Sequence, residues 1–154
     1  MAIKNGVNNT TAYQTEPSDK IQAGEYNGRV RRSYDSYVFG AAEELAAADV
    51  IRFMKLPANA QLVDARIISP DWGATGSANI GWEASADGSE VADPDGMYAA
   101  LDTNAAAVDA KMGGTLPGYN KKFSREVQVS LTAVAASTAL AGLTIELEVL
   151  YIID

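Results

Sequence analysis

The chain has 154 residues, no Cys and no His, and 20 acidic against 12 basic side chains, for a net charge of −8. Without thiols there is no disulfide, thiolate metal site or Cys nucleophile, and without imidazole no His-dependent triad and no His-ligated metal centre. The length suits one domain of ordinary size with an appended segment, and the acidic balance argues against nucleic acid and anionic membranes as partners.

The charge is unevenly spread. Residues 1–32 carry five basic and three acidic side chains, net +2, whereas residues 33–154 carry seven and seventeen, net −10. Residues 1–28 show no sustained apolar period, and Pro17, Ser18, Gly24 and Asn27-Gly28 punctuate them as coil and turns. This polar arm is rich in Asn, Thr and Gln. Such a composition suits a segment ordered by a partner surface, with Tyr13, Ile21 and Tyr26 as apolar anchors and Arg29, Arg31 and Arg32 as a basic cluster for an acidic protein patch. The opening MAIKNGVNN is too polar for a signal peptide, and no apolar run approaches the roughly 20 residues that span a bilayer. The expectation is a soluble protein made in the cytoplasm, with an arm over 1–28 and a β-domain over 29–154.

In chain order, the first strand is expected over Arg29 to Phe39, ending at Gly40, followed by a helical turn or loop over Ala41 to Ala48. DVIRFMKL, from Asp49 to Leu56, reads as a strand closed by Pro57 and Asn59. LVDARII then places Val63, Ala65 and Ile67 on one side and Leu62, Asp64, Arg66 and Ile68 on the wetter one. After Pro70, Asp71 and Gly73, the run Asn79 to Ser85 alternates Ile80, Trp82 and Ala84 with Asn79, Gly81 and Glu83, which is the pattern of a half-buried strand. Asp87-Gly88 and Asp93 to Gly96 are turn signals. Between Met97 and Met112 the Ala-rich AALDTNAAAVDAKM predicts the one short helix, with Asp102, Thr103 or Asn104 as its cap. Two long alternating runs close the chain, Phe123 to Ala133 and Leu143 to Ile153. Together these define an all-β fold, an antiparallel β-sandwich or jelly roll with an extended N-terminal arm and at most one short helix. Leu150, Tyr151, Ile152 and Ile153 are apolar on both faces, as in a strand that is central or covered by a neighbouring subunit.

No constellation commits the chain to catalysis, a cofactor or a metal. The acidic loop Asp87, Glu90, Asp93, Asp95 lacks the ligand spacing of a calcium loop and reads as a solvated turn. Glu146 and Glu148 share a strand face, as glycosidase carboxylates could, but Glu alternating with apolar residues is also what a solvated face looks like. The glycine-rich GATGSANIG has neither a Lys nor a following helix and is no phosphate cradle. Trp72, Trp82 and Tyr98 could form a sugar-stacking platform; the register of Trp82 points it into the core, leaving Trp72 as the exposed aromatic.

From KLPANAQLVDARIISPDWG at Lys55 to Gly73, through IGWEASADGS, to the region of Tyr98 and Ala99, the sequence resembles the head decoration (cement) proteins of tailed bacteriophages. The shared elements are a Leu-Pro-Ala-Asn-Ala turn after a strand, an Asp-x-Gly turn closing an apolar strand, an Asp-Gly hairpin and a final apolar strand, over roughly Tyr26 to Asp154. The resemblance implies a sandwich or jelly-roll domain, often trimeric, on the outer surface of the virion, where it clamps neighbouring major capsid subunits. On that reading Leu150 to Ile153 would hold a homotrimer and the arm would lie on the shell. The alternative from the residues is a carbohydrate-binding or host-attachment module resting on Trp72 and Tyr98.

Overall fold

The period-two alternation in the sequence is realised, among the described residues, as eight strands. A computed structural model describes residues 29–41, 43–73, 75–104, 107–112, 116–138 and 140–153, and the arm residues Tyr13, Ile21 and Tyr26 lie outside them. The strands are β1 (Val30–Val38), β2 (Val50–Leu56), β3 (Ala60–Ser69), β4 (Ser77–Trp82), β5 (Asp93–Asp102), β6 (Val108–Lys111), β7 (Val127–Ala135) and β8 (Thr144–Ile153). They form two four-stranded sheets ordered β1-β8-β3-β6 and β2-β7-β4-β5. The antiparallel pairs β1 with β8, β2 with β7, β3 with β6 and β4 with β5 are those of one long hairpin rolled up, the topology of an eight-stranded jelly roll.

The core lies between the sheets. Ile145, Leu147 and Val149 of β8 face Val127, Val129, Leu131 and Ala133 of β7, joined by Leu62, Ala65 and Ile67 of β3 and Ile80 and Trp82 of β4. Phe123 lies just before β7, fully buried, and packs edge-on against Trp82 with ring centroids 5.1 Å apart.

Three expectations are corrected. The Ala-rich stretch is not a helix: Met97 to Asp102 belong to β5 and Val108 to Lys111 form β6, because burying Met97 and Tyr98 between the sheets outweighs the helix preference of the alanines beside them. The Asp102 carboxylate there accepts the Asn104 N–H in a turn, at 2.9 Å, not at a helix cap. In β3 the simple alternation fails at a bulge between Leu62 and Asp64, which lets Leu62, Ala65 and Ile67 all point inward. The Ala65 N–H that the bulge frees is taken by the Asp64 carboxylate at 2.8 Å. Finally, Trp72 is not exposed; it is fully buried and anchors one end of the sandwich. Its indole N–H donates to Ser69 Oγ at 2.8 Å, its backbone N–H to Thr103 O at 3.0 Å, and its carbonyl accepts the Thr138 N–H at 2.9 Å. Three loops thus meet at one residue.

Candidate functional site

The polar chemistry of the described surface falls into three places. The first is the outer face of the β1-β8-β3-β6 sheet, where Glu146 and Glu148 do project side by side. Glu148 is paired with Arg32, whose Nε lies 2.6 Å away, and Arg66 donates to Asp109 at 2.7 and 2.5 Å, so the charges form a cross-strand ladder. The dent between Glu146, Glu148, Arg32, Arg66, Tyr34 and Ile68 measures about 120 Å³, too small to enclose a sugar ring and its water.

The second is the outer face of the other sheet. Arg52 on β2 reaches across β7 to Glu83 in a bidentate pair at 2.7 and 2.9 Å. This bridge separates depressions of about 490 Å³ and about 470 Å³. The larger is ringed by the pairs Lys55–Glu126 at 2.7 Å and Arg125–Asp87 at 2.8 Å; the smaller is floored by Ser130 and Thr132 and edged by Val50 and Pro94. Each cation already has a carboxylate, so neither depression offers an unspent charge.

The third is the acidic loop between β4 and β5, whose side chains are spent on holding two loops together. Asp87 accepts from the Ser85 and Ser89 hydroxyls at 2.7 and 2.6 Å and from Arg125; the Ser89 and Ser85 hydroxyls and the guanidinium hold its carboxyl well below the usual range. Glu90, only 6% exposed, accepts the Ser124 N–H at 2.5 Å and pairs with Lys121 Nζ at 3.1 Å. Burial pushes its carboxyl up, but the Ser124 hydrogen bonds and the Lys121 ammonium outweigh burial and leave it below its ordinary value. Asp93 moves the other way, raised by burial and then by the neighbouring Asp95 carboxyl. Among the described residues no three acidic groups converge in a metal-binding geometry.

The aromatic platform does not form. Trp72 and Trp82 are 0% and 3% exposed, and Tyr98, 5% exposed, directs its hydroxyl at the Ala65 and Ala110 carbonyls, 2.6 and 2.8 Å away; burial raises its pKa. Sequence order hid this, because residues 33 and 12 positions away supply the carbonyls.

The arginine cluster and the C-terminal apolar run, expected separately, come together at one corner. Arg31 pairs in register with Tyr151, Arg32 with Leu150 and Val30 with Ile152. Arg29, Arg31 and Arg32 are exposed. Tyr151 and Ile153 pack on the core, whereas Leu150 and Ile152 lie on the outer face with Val30. Ile152 is nevertheless buried and Leu150 half-buried.

Solved structures share this architecture. The chain superposes on one in the capsid of Ralstonia phage GP4 with a TM-score of 0.67, at 21% identity over 82% of this chain and 86% of that one. It superposes on one in the cyanophage Pam1 capsid asymmetric unit with a TM-score of 0.64, at 18% identity over the whole of both chains. At these identities the likeness is one of fold. No protein-family model and no curated protein matches the sequence.

Proposed function

We propose that the chain is a non-enzymatic structural protein of a phage virion, bound to the outer surface of the capsid and stabilising the head by bridging neighbouring major capsid subunits. The observation that carries this reading is the end-to-end fold likeness to a chain of a phage capsid asymmetric unit. The surface supports it: the pairs Arg32–Glu148, Arg52–Glu83, Arg66–Asp109 and Lys121–Glu90 tie neighbouring strands and loops to one another, as suits a rigid building block. In this reading the arm, with Tyr13, Ile21 and Tyr26, lies on the shell together with Arg29, Arg31 and Arg32. Twenty-eight extended residues reach on the order of 90 Å, so one copy can touch more than one capsid subunit. The corner around Leu150, Tyr151, Ile152 and Ile153 joins copies as a homotrimer, and avidity multiplies the small contacts of each arm.

The test is co-sedimentation of purified protein with heads assembled without it. Deleting residues 1–25 should leave the circular dichroism spectrum and melting temperature of the sandwich nearly unchanged and abolish most head binding. Full binding by the truncated protein would refute the anchor role, and failure of the intact protein to bind at all would refute the capsid reading.

A further inference from the structure

An open sheet has two edges, and each exposes a row of unpaired backbone groups that invites another strand unless something blocks it. Three of the four edges here are blocked. β2 is broken by a bulge between Arg52 and Lys55, β5 by register shifts opposite Ile80 and a left-handed Ala100 at φ 47°, and β6 is only four residues long. β1 has none of these devices. It runs nine residues in unbroken register with β8, from Val30 opposite Ile152 to Val38 opposite Thr144.

The direction of its backbone groups follows from the ladder. The Phe39 N–H donates to Leu143 O at 2.9 Å, so the odd-numbered residues spend their groups on β8. Val30, Arg32, Tyr34, Ser36 and Val38 therefore turn theirs away from β8, to the outer edge of the described sheet. Among the described residues, only the Ser36 N–H of these has an acceptor, the adjacent Asp35 carboxylate at 2.8 Å.

The same even-numbered residues carry the strand's exposed apolar side chains. Val30, Tyr34 and Val38 are 54%, 49% and 61% exposed, lie on one face, and are spaced symmetrically about Tyr34. We propose that β1 pairs antiparallel with β1 of a second copy about a two-fold axis at Tyr34, joining two sheets into one of eight strands. In that register Val30 meets Val38, Tyr34 meets Tyr34, Arg32 meets Ser36, Arg31 meets Tyr37 and Ser33 meets Asp35. No like charges are opposed. Moving the axis to Arg32 would set Arg32 against itself, and moving it to Ser33 would leave Val38 unpaired. This isologous contact is separate from the three-fold proposed above and does not depend on the virion reading.

The chain has no Cys, so one introduced thiol reads the contact cleanly. Opposed residues of a hydrogen-bonded antiparallel pair have Cα atoms about 5.5 Å apart, within disulfide range. Under mild oxidation Tyr34→Cys should form disulfide-linked dimers at least about tenfold faster than Val91→Cys, a control at a site 78% exposed. Adding Val30→Lys and Val38→Lys, or Arg32→Pro, should return the rate to that of the control with the circular dichroism spectrum unchanged. Arg32→Pro removes an edge N–H and none that bonds β8. Equal rates for Tyr34→Cys and Val91→Cys, as expected if the edge is reserved for a strand of a different protein, would overturn self-pairing. So would a fast rate that survives both sets of blocking substitutions.

Discussion

Replacing Glu90 is the sharpest test of how the β4–β5 and β6–β7 connections are held. Its carboxylate is nearly enclosed and serves two partners, the Ser124 N–H and the Lys121 ammonium. A hydrogen bond to a charged group contributes about 1.5–3 kcal/mol, and loss of the carboxylate also leaves the Ser124 N–H without its acceptor. Lys121 is 34% exposed and can rehydrate, so its share is nearer the ~0.5–1 kcal/mol of a surface pair. Glu90→Ala should therefore cost about 2–3 kcal/mol, or roughly 5–10 °C in melting temperature for a chain of this size. Glu90→Gln keeps an acceptor for Ser124 and should cost about 1 kcal/mol. The pH dependence has a definite sign. Because the native carboxyl sits below its ordinary value, its charge contributes stability above that value and loses it as pH falls through the depressed native one. Urea unfolding at pH 7 should then separate wild type from Glu90→Gln, and the gap should narrow as pH falls below the ordinary range of a carboxyl. A cost under ~0.5 kcal/mol for Glu90→Ala, or a gap that widens in acid, would show that the two loops are held by something else.

Trp72→Ala should cost about 3–5 kcal/mol by chemical denaturation, since a fully buried indole leaves a cavity where three loops meet, whereas Trp72→Phe should cost less, chiefly the hydrogen bond to Ser69. The two glycines of the β4 region should respond to alanine to very different degrees. A Cβ on Gly81 would sit 1.9 Å from the Asp93 carbonyl oxygen, so Gly81→Ala must push β5 off β4 and should cost more than about 3 kcal/mol or prevent folding. Gly88, at φ +71° with nothing within 4 Å, should lose only the ~1–2 kcal/mol of placing a Cβ in the left-handed region. Comparable melting temperatures for the two variants would contradict the register given for β4 and β5.

What was legible in the sequence and what was not divide along a physical line. Strands that face the core with one side and water with the other announce themselves by alternation, and β1, β2, β7 and β8 lie within a few residues of where that alternation places them. The jelly-roll pairing needs no local signal, because rolling one hairpin is a compact way to bury eight such faces. The misread parts are those where a distant partner overrides local preference. Alanine favours helix, yet Met97 and Tyr98 gain more by burial between two sheets than the flanking alanines lose. Trp72 follows a Pro-Asp turn and so looks like a loop aromatic, but Thr103 and Thr138 close over it from 31 and 66 residues away. The same holds for the surface: Arg52 and Glu83, or Glu90 and Lys121, are ordinary solvated charges in the sequence and become clasps only once β7 and the long connection before it are in place. The symmetry of VRRSYDSYV falls between these cases. Its spacing is written in nine consecutive residues, but it acquires meaning only when β1 is known to lie at the edge of the described sheet with β8 on one side, since a central strand would have spent those groups already.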